Sequence, residues 1–184
     1  MRKLPSELLD SPVTGLNLAG ATLRDQLNPD GQTLLVFLRH FGCLFCREMV
    51  ADLRDLSRAM PDYPPIVFFY QGTPEEGAAF MRKLWAEARA IADLPKRFYN
   101  AFGLERGSLG QMFGAPVWAC GLRAALKGHF IGKPVGDPWT MPGLFLVEQE
   151  TITWQHDFKH AGDHPDWRTI PSLAAQQRLQ PMSA

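Results

Sequence analysis

The sequence predicts an α/β fold with a central mixed sheet and helices on both faces, and three observations predict it. Two uninterrupted apolar runs, TLLVFL at residues 33–38 and PIVFFY at residues 65–70, have the length and composition of strands buried on both sides. Each is followed by a helical pattern, and a strand, helix, strand alternation implies a right-handed parallel crossover. Later, GLFLV at 143–147 and TITWQ at 151–155 are separated by Glu148, Gln149 and Glu150, the layout of an antiparallel hairpin that closes the sheet.

The elements follow in order. The turn signal Asn28-Pro29-Asp30-Gly31 opens the first strand. From Cys46 to Met60, the residues Met49, Val50, Leu53 and Leu56 recur at helical spacing opposite a charged face, and Pro61 ends the pattern. Past the second strand, Thr73 reads as an N-cap, Pro74 as the first helical residue, and Glu75 and Glu76 as first-turn acids of a helix running to about Ala88. A short strand at 89–92 and a brief helix at 95–103 closed by Gly103 come next. Residues 104–140 mix glycine turns with an apolar piece at 116–122 that fits either helix or packed loop, so this stretch is expected to be an irregular insertion. Residues 167–179 carry a weak helical pattern, and 180–184 are expected to fray. No repeat or linker divides the 184 residues, which are expected to form one domain with its core at about 12–170.

Charge excludes several partners. With 19 basic and 19 acidic side chains the chain lacks the electrostatic footprint of a nucleic-acid or anionic-membrane binder. The start Met1-Arg2-Lys3 is followed by Pro5, Ser6, Glu7 and Asp10, which interrupt any signal-peptide core, and no stretch approaches the ~20 apolar residues that span a bilayer. A cytoplasmic protein is the expectation. Three cysteines are too few for a secreted disulfide framework, and in a reducing compartment a close pair points to redox or metal chemistry.

That pair is Cys43 and Cys46, in VFLRHFGCLFCRE. Cys43 falls where a buried strand turns into a helix, so free backbone N–H groups and the helix dipole favour a thiolate there. In such a Cys-x-x-Cys site the first thiol's pKa drops from about 8.5 to about 7 or lower. Cys46, one helical turn on, is placed to close a disulfide. Two other readings compete. His40 could join both sulfurs around a metal, but a zinc site needs about four ligands and no second pair follows. Both cysteines could also be small buried hydrophobes.

Beyond this spacing, LLVFLRHFGCLFCREMVADL at 34–53, YNAFGLERGS at 99–108 and HAGDHPD at 160–166 resemble the peroxiredoxin-like proteins of the alkyl hydroperoxide reductase and thiol-specific antioxidant group, in their Cys-x-x-Cys branch. That resemblance implies a thioredoxin-like fold, with Cys43 as the attacking thiol and Cys46 as the resolving one. It further implies a peroxide or disulfide substrate, a thioredoxin or glutathione system as reductant, and no cofactor beyond the redox-active disulfide. Pro142, before the strand GLFLV, resembles the cis-proline that faces the cysteines in such folds. The pattern departs at His40, where those proteins carry Thr or Ser, and their activating arginine has no clear match; Arg39 and Arg47 flank the pair as sources of positive potential. The alternative is a non-enzymatic thioredoxin-like module whose cysteines act as a redox sensor.

Other residues carry two readings. His160, Asp163, His164 and Asp166 could ligate a metal, yet the Gly and Pro among them read as a loop. Cys120 could be a second resolving thiol or simple packing. Phe41, Phe45, Trp118 and Trp139 could line an apolar groove for a lipid hydroperoxide or endoperoxide, or fill the core. Asp93 reads as a helix cap.

Overall fold

A computed structural model describes residues 2–179. The chain runs β1 (Arg2–Lys3), α1 (Ser6–Leu9), β2 (Gly15–Leu16), β3 (Gln32–Phe37), α2 (Leu44–Ala59), β4 (Ile66–Tyr70), α3 (Pro74–Leu84) and β5 (Arg89–Ala92). It continues through α4 (Arg97–Ala101), α5 (Leu109–Phe113), α6 (Ala115–Leu126), β6 (Gly143–Glu148), β7 (Thr151–Gln155) and α7 (Ile170–Leu179). Among the described residues seven strands form one sheet in the order β1-β7-β6-β3-β4-β5-β2. The centre, β3-β4-β5, is parallel, with Leu34 opposite Ile66 and Phe37 opposite Phe69, and β6 joins β3 antiparallel. The result is the mixed α/β sheet that the apolar runs predicted.

Strand alternation divides the interior into two layers. Leu34, Val36, Phe68, Tyr70, Leu144 and Leu146 face α2, α3 and the start of α7. Their neighbours Leu35, Phe37, Val67, Phe69, Phe145 and Val147 face α1 and α4. On that second side Phe37 stacks on Phe69 at 4.2 Å and meets the edge of Tyr99 at 5.1 Å. Burying each such ring contributes about 2–3 kcal/mol.

Local signals account for most boundaries, and packing accounts for the exceptions. Thr73 and Glu76 form a capping box at the start of α3, with Pro74 as its first residue. Asp93 accepts hydrogen bonds from the backbone N–H groups of Arg97, Phe98 and Tyr99, which caps α4. α3 stops at Leu84 rather than near Ala88, because Arg54 of α2 donates to the Leu84 carbonyl at 2.6 Å and Trp85 turns inward onto Phe68. α2 begins at Leu44, two residues before the apolar stripe implied, because Phe45 is buried under the loop that carries His164. Residues 104–140 prove less irregular than expected. The apolar piece at 116–122 is helical, inside α6, and a Ser108–Gln111 capping box starts the short α5. The expected frayed end at 180–184 lies outside the described residues.

This fold brings the ends of β3 and β4, the start of α2 and the 104–140 segment to one side of the molecule. In an open parallel sheet, the crevice beyond the strands' carboxyl ends is the favoured place for a site.

Candidate active site

Cys43 is the N-cap residue of α2, and its backbone N–H donates to the His40 carbonyl at 3.0 Å, closing the turn out of β3. Cys43 and Cys46 are both free thiols and almost wholly buried. The turn therefore holds two sulfurs side by side at the positive end of a sixteen-residue helix.

Their electrostatics differ. A hydrogen bond from the Cys46 thiol, the Arg39 charge and the free N–H groups of Cys46 and Phe45 together outweigh burial and lower the Cys43 pKa to about 6. Burial, then the neighbouring Cys43, pushes Cys46 well above the usual thiol range. One proton shared by the pair thus resides on Cys46, and Cys43 is the thiolate at neutral pH.

Arg39 is fixed from four sides. Its Nε donates to the Thr140 carbonyl at 3.0 Å, Nη2 to the Pro138 carbonyl at 2.5 Å and to Met112 Sδ at 2.8 Å, and Nη1 points to Cys43 Sγ at 3.6 Å. The side chain is only 7% exposed, and among the described residues no carboxylate pairs with it. A buried guanidinium needs a counter-charge, and the Cys43 thiolate is the anion within reach. The backbone is held as well. Arg39 N–H donates to Cys46 Sγ at 3.3 Å, and the buried Gln71 amide donates to the Arg39 carbonyl at 2.8 Å while accepting from Asp137 N–H.

The other expected residues separate. His40 lines the same cavity as Cys43; burial and then Arg39 lower its pKa to about 4, and its Nδ1 is buried without a partner. Arg47 turns away from the thiols: it donates to the Phe41 carbonyl at 3.3 Å and lies over the Phe80 ring, so it braces the loop. Pro142 is a correction. Its peptide bond is trans, and it borders a separate cavity with Phe102, Leu104 and Phe145 on the far side of β6. The carbonyls of Pro138 and Thr140, two to four residues earlier, face the site through Arg39 instead.

Over Cys43 lies an open cavity of about 850 Å³, with Arg39, His40 and Cys43 as its polar floor and walls from Met112, Phe113, Val117, Leu122, Phe130 and Ile131. Of the aromatic candidates, Phe45, Trp118 and Trp139 line it, whereas Phe41 packs into the core on Phe80 and Tyr70. The wall is pinned by charge. Arg123 of α6 forks onto the fully buried Glu48 carboxylate at 2.9 and 3.0 Å, and Lys127 bridges Glu48 and Asp52. Burial raises the Glu48 pKa, but hydrogen bonds from Arg123 and Lys127 prevail and hold it below the ordinary value. His164 stands 3.7 Å from Glu48 yet is neutral at pH 7, since burial takes its pKa down to about 4. His160 to Asp166 form the loop expected. Cys120 sits on α6 as a free thiol against Gly162 and 3.7 Å from Arg123.

Sequence reasoning missed Met112, Gln71, Glu48 and Arg123. Each acts through a partner more than thirty residues away, and no local pattern marks such a pairing.

A family model described as AhpC/TSA antioxidant enzyme matches residues 52–160, a stretch that begins six residues after Cys46. No curated protein matches the chain significantly. Among solved structures it is similar to peroxiredoxin Q of Xanthomonas campestris, at 16% identity and TM-score 0.64 over 95% of this chain and 96% of that one. It is also similar to the bacterioferritin comigratory protein of the same organism, studied for alkyl peroxide reduction, at 16% identity and TM-score 0.63 over 95% and 97%. A third is peroxidoxin BcpB of Mycobacterium tuberculosis, at 14% identity and TM-score 0.59 over 98% and 96%. These likenesses concern the fold, which is the thioredoxin-like one.

Proposed function

The chain belongs to the AhpC/TSA antioxidant enzyme family, and from that premise we propose that Cys43 reduces an organic hydroperoxide. The family makes the protein a thiol-dependent, peroxiredoxin-like antioxidant enzyme that takes a peroxide and a thiol reductant. Which residues act, and on which peroxide, is our reading. It is carried by one observation: the sulfur of lowered pKa lies beside a buried, carboxylate-free arginine at the floor of an apolar cavity.

In this reading the Cys43 thiolate attacks the terminal oxygen of R–O–O–H. The O–O bond breaks, Cys43 becomes a sulfenic acid, and RO⁻ takes a proton to leave as ROH. Arg39 stabilises both the thiolate and the charge developing on the oxygens. His40 occupies the place of the usual hydroxyl and, being neutral, offers a hydrogen bond to the peroxide without adding a charge. Cys46 then attacks the sulfenic sulfur, water leaves, and the Cys43–Cys46 disulfide forms. An external dithiol restores both thiols with two electrons; a thioredoxin or glutathione system in the cytoplasm fits that demand, and no other cofactor is required.

The cavity favours a bulky substrate. Its volume of about 850 Å³ falls in the range of about 300–1,000 Å³ typical of small-molecule sites. Hydrogen peroxide needs none of that apolar wall.

The test is stopped-flow oxidation of the reduced protein by cumene hydroperoxide, hydrogen peroxide and a peptide disulfide, with the modified cysteines mapped by mass spectrometry. Cumene hydroperoxide is expected to react fastest and to close Cys43 to Cys46. Fastest reaction with the disulfide, or oxidation that bypasses Cys43, would overturn the reading.

A further inference from the structure

The cavity over Cys43 opens through an unusually apolar surface. On α6, Trp118, Leu122 and Leu126 recur at i, i+4 and i+8 and are 74%, 64% and 81% exposed, and Phe130 and Ile131 extend the stripe beyond the helix at 67% and 80%. Large exposed side chains gathered this way mark an interaction surface rather than an ordinary monomer face.

The segment that carries the stripe holds charges of one sign, although α2 faces part of it with Glu48 and Asp52. From Arg106 to Gly136 the chain carries four Lys or Arg and no Asp or Glu, so the remainder of this neutral protein holds an excess of acids. Two of the four, Arg123 and Lys127, flank the stripe on the side toward α2 and are paired with Glu48 and Asp52. Lys133 is exposed beside the stripe, and Arg47 lies under Gly132; among the described residues neither has a carboxylate partner. The whole-chain balance that argued against an anionic surface therefore conceals a local basic rim.

We propose that α6 and residues 127–133 dock on an anionic lipid surface, seating the cavity mouth against the acyl region. A helix with Trp and Leu on one exposed face, bordered by Lys and Arg, is the pattern that lies in the headgroup plane, and tryptophan favours that interface. Resting on the reading of Cys43 as a hydroperoxide reductase, docking explains how a water-insoluble substrate arrives: an oxidised acyl chain passes from the bilayer into the cavity without crossing water.

The test is co-sedimentation of the full-length reduced protein with vesicles of phosphatidylcholine alone or mixed equally with phosphatidylserine, at physiological ionic strength. Binding is expected with the mixed vesicles and to be several-fold weaker with phosphatidylcholine. Leu126→Asp should reduce it at least tenfold. Lys133→Glu, a change of two charges, should reduce it about twenty-five-fold, at about fivefold per charge near the surface. Neither residue lines the cavity, so turnover of a soluble hydroperoxide by either variant should match the parent. Binding to neither vesicle, or binding that both variants retain, overturns the proposal even if cumene hydroperoxide is turned over. So does a dimer in sedimentation velocity that Leu126→Asp dissociates, which would assign the face to a second copy. Vesicle binding by a protein that turns over no hydroperoxide supports docking and counts against the enzymatic reading alone.

Discussion

Arg39 Nη1 stands 3.6 Å from Cys43 Sγ, and three further donors of that guanidinium end on two carbonyls and a thioether, all of them uncharged. The thiolate is thus the arginine's counter-ion. Replacing Arg39 with Met removes the charge and is expected to move the Cys43 pKa upward from about 6 toward the ordinary 9.0. Since the Cys46 hydrogen bond lowers this pKa more than the arginine does, the shift is partial, and at neutral pH the thiolate fraction, and with it the rate of peroxide attack, should fall roughly several-fold to tenfold. Thiolate absorbance near the ultraviolet thiolate band, followed against pH, measures the shift directly; an unmoved titration would show that the arginine is structural.

The pH profile has a definite sign. Cys43 reacts as the thiolate, and its pKa is lowered to about 6. The second-order rate with peroxide should therefore be flat above pH 7 and decline about tenfold per unit below pH 5, following a single deprotonation. A profile rising through pH 8 to 9 would place the reactive group at an ordinary thiol.

Cys46→Ala is expected to separate attack from resolution. Peroxide should still consume one equivalent, leaving Cys43 as a sulfenic acid detectable by dimedone and, with excess peroxide, driving it to sulfinic acid. Because the Cys46 thiol is the largest influence lowering the Cys43 pKa, the attack rate at pH 7 should also drop, by at least as much as in Arg39→Met. Should Cys120 close a disulfide with Cys43 in this variant, it would be the resolving thiol instead.

Gly121 lines the cavity, and a Cβ built there meets nothing within 4 Å. Gly121→Phe should therefore fill the cavity without disturbing α6, where glycine is a poor helix former anyway. The prediction is a rise in KM for cumene hydroperoxide of roughly tenfold, since a blocked apolar pocket loses about 1–3 kcal/mol, with hydrogen peroxide kinetics unchanged. Equal losses for both peroxides would point to a disturbed Cys43 turn.

Buried titratable groups tie stability to pH and to pairing. His164 is neutral in the folded protein with a pKa of about 4, whereas unfolded histidine titrates near 6.5. Between those values the unfolded chain binds the extra proton, so stability is lost as pH falls from about 6.5 toward 4. Replacing His164 with Phe should flatten that slope, read as Tm against pH. Arg123→Ala leaves the buried Glu48 with Lys127 alone and should cost about 2–3 kcal/mol at pH 7, less than the ~3–5 kcal/mol of a fully buried pair because Arg123 is partly exposed. Urea denaturation measures it.

Much of this molecule was legible locally. Apolar runs marked β3 and β4, the Thr73 box and Asp93 marked helix starts, and Cys43 and Cys46 announced themselves by position between strand and helix. Such features depend on residues a few positions apart, where periodicity and capping chemistry operate. Among Arg39, His40, Arg47 and Pro142, spacing offered no means to choose. The choice rests on contacts such as Arg39 to Thr140, 101 residues apart, and Arg123 to Glu48, 75 residues apart. Tertiary structure alone decided that Arg39 faces the sulfur and Arg47 does not, that Pro142 lies elsewhere, and that α6 roofs the site and turns its apolar stripe outward. The physical reason is that helix and strand formation are governed by neighbours in sequence, whereas charge pairing and cavity walls are governed by neighbours in space.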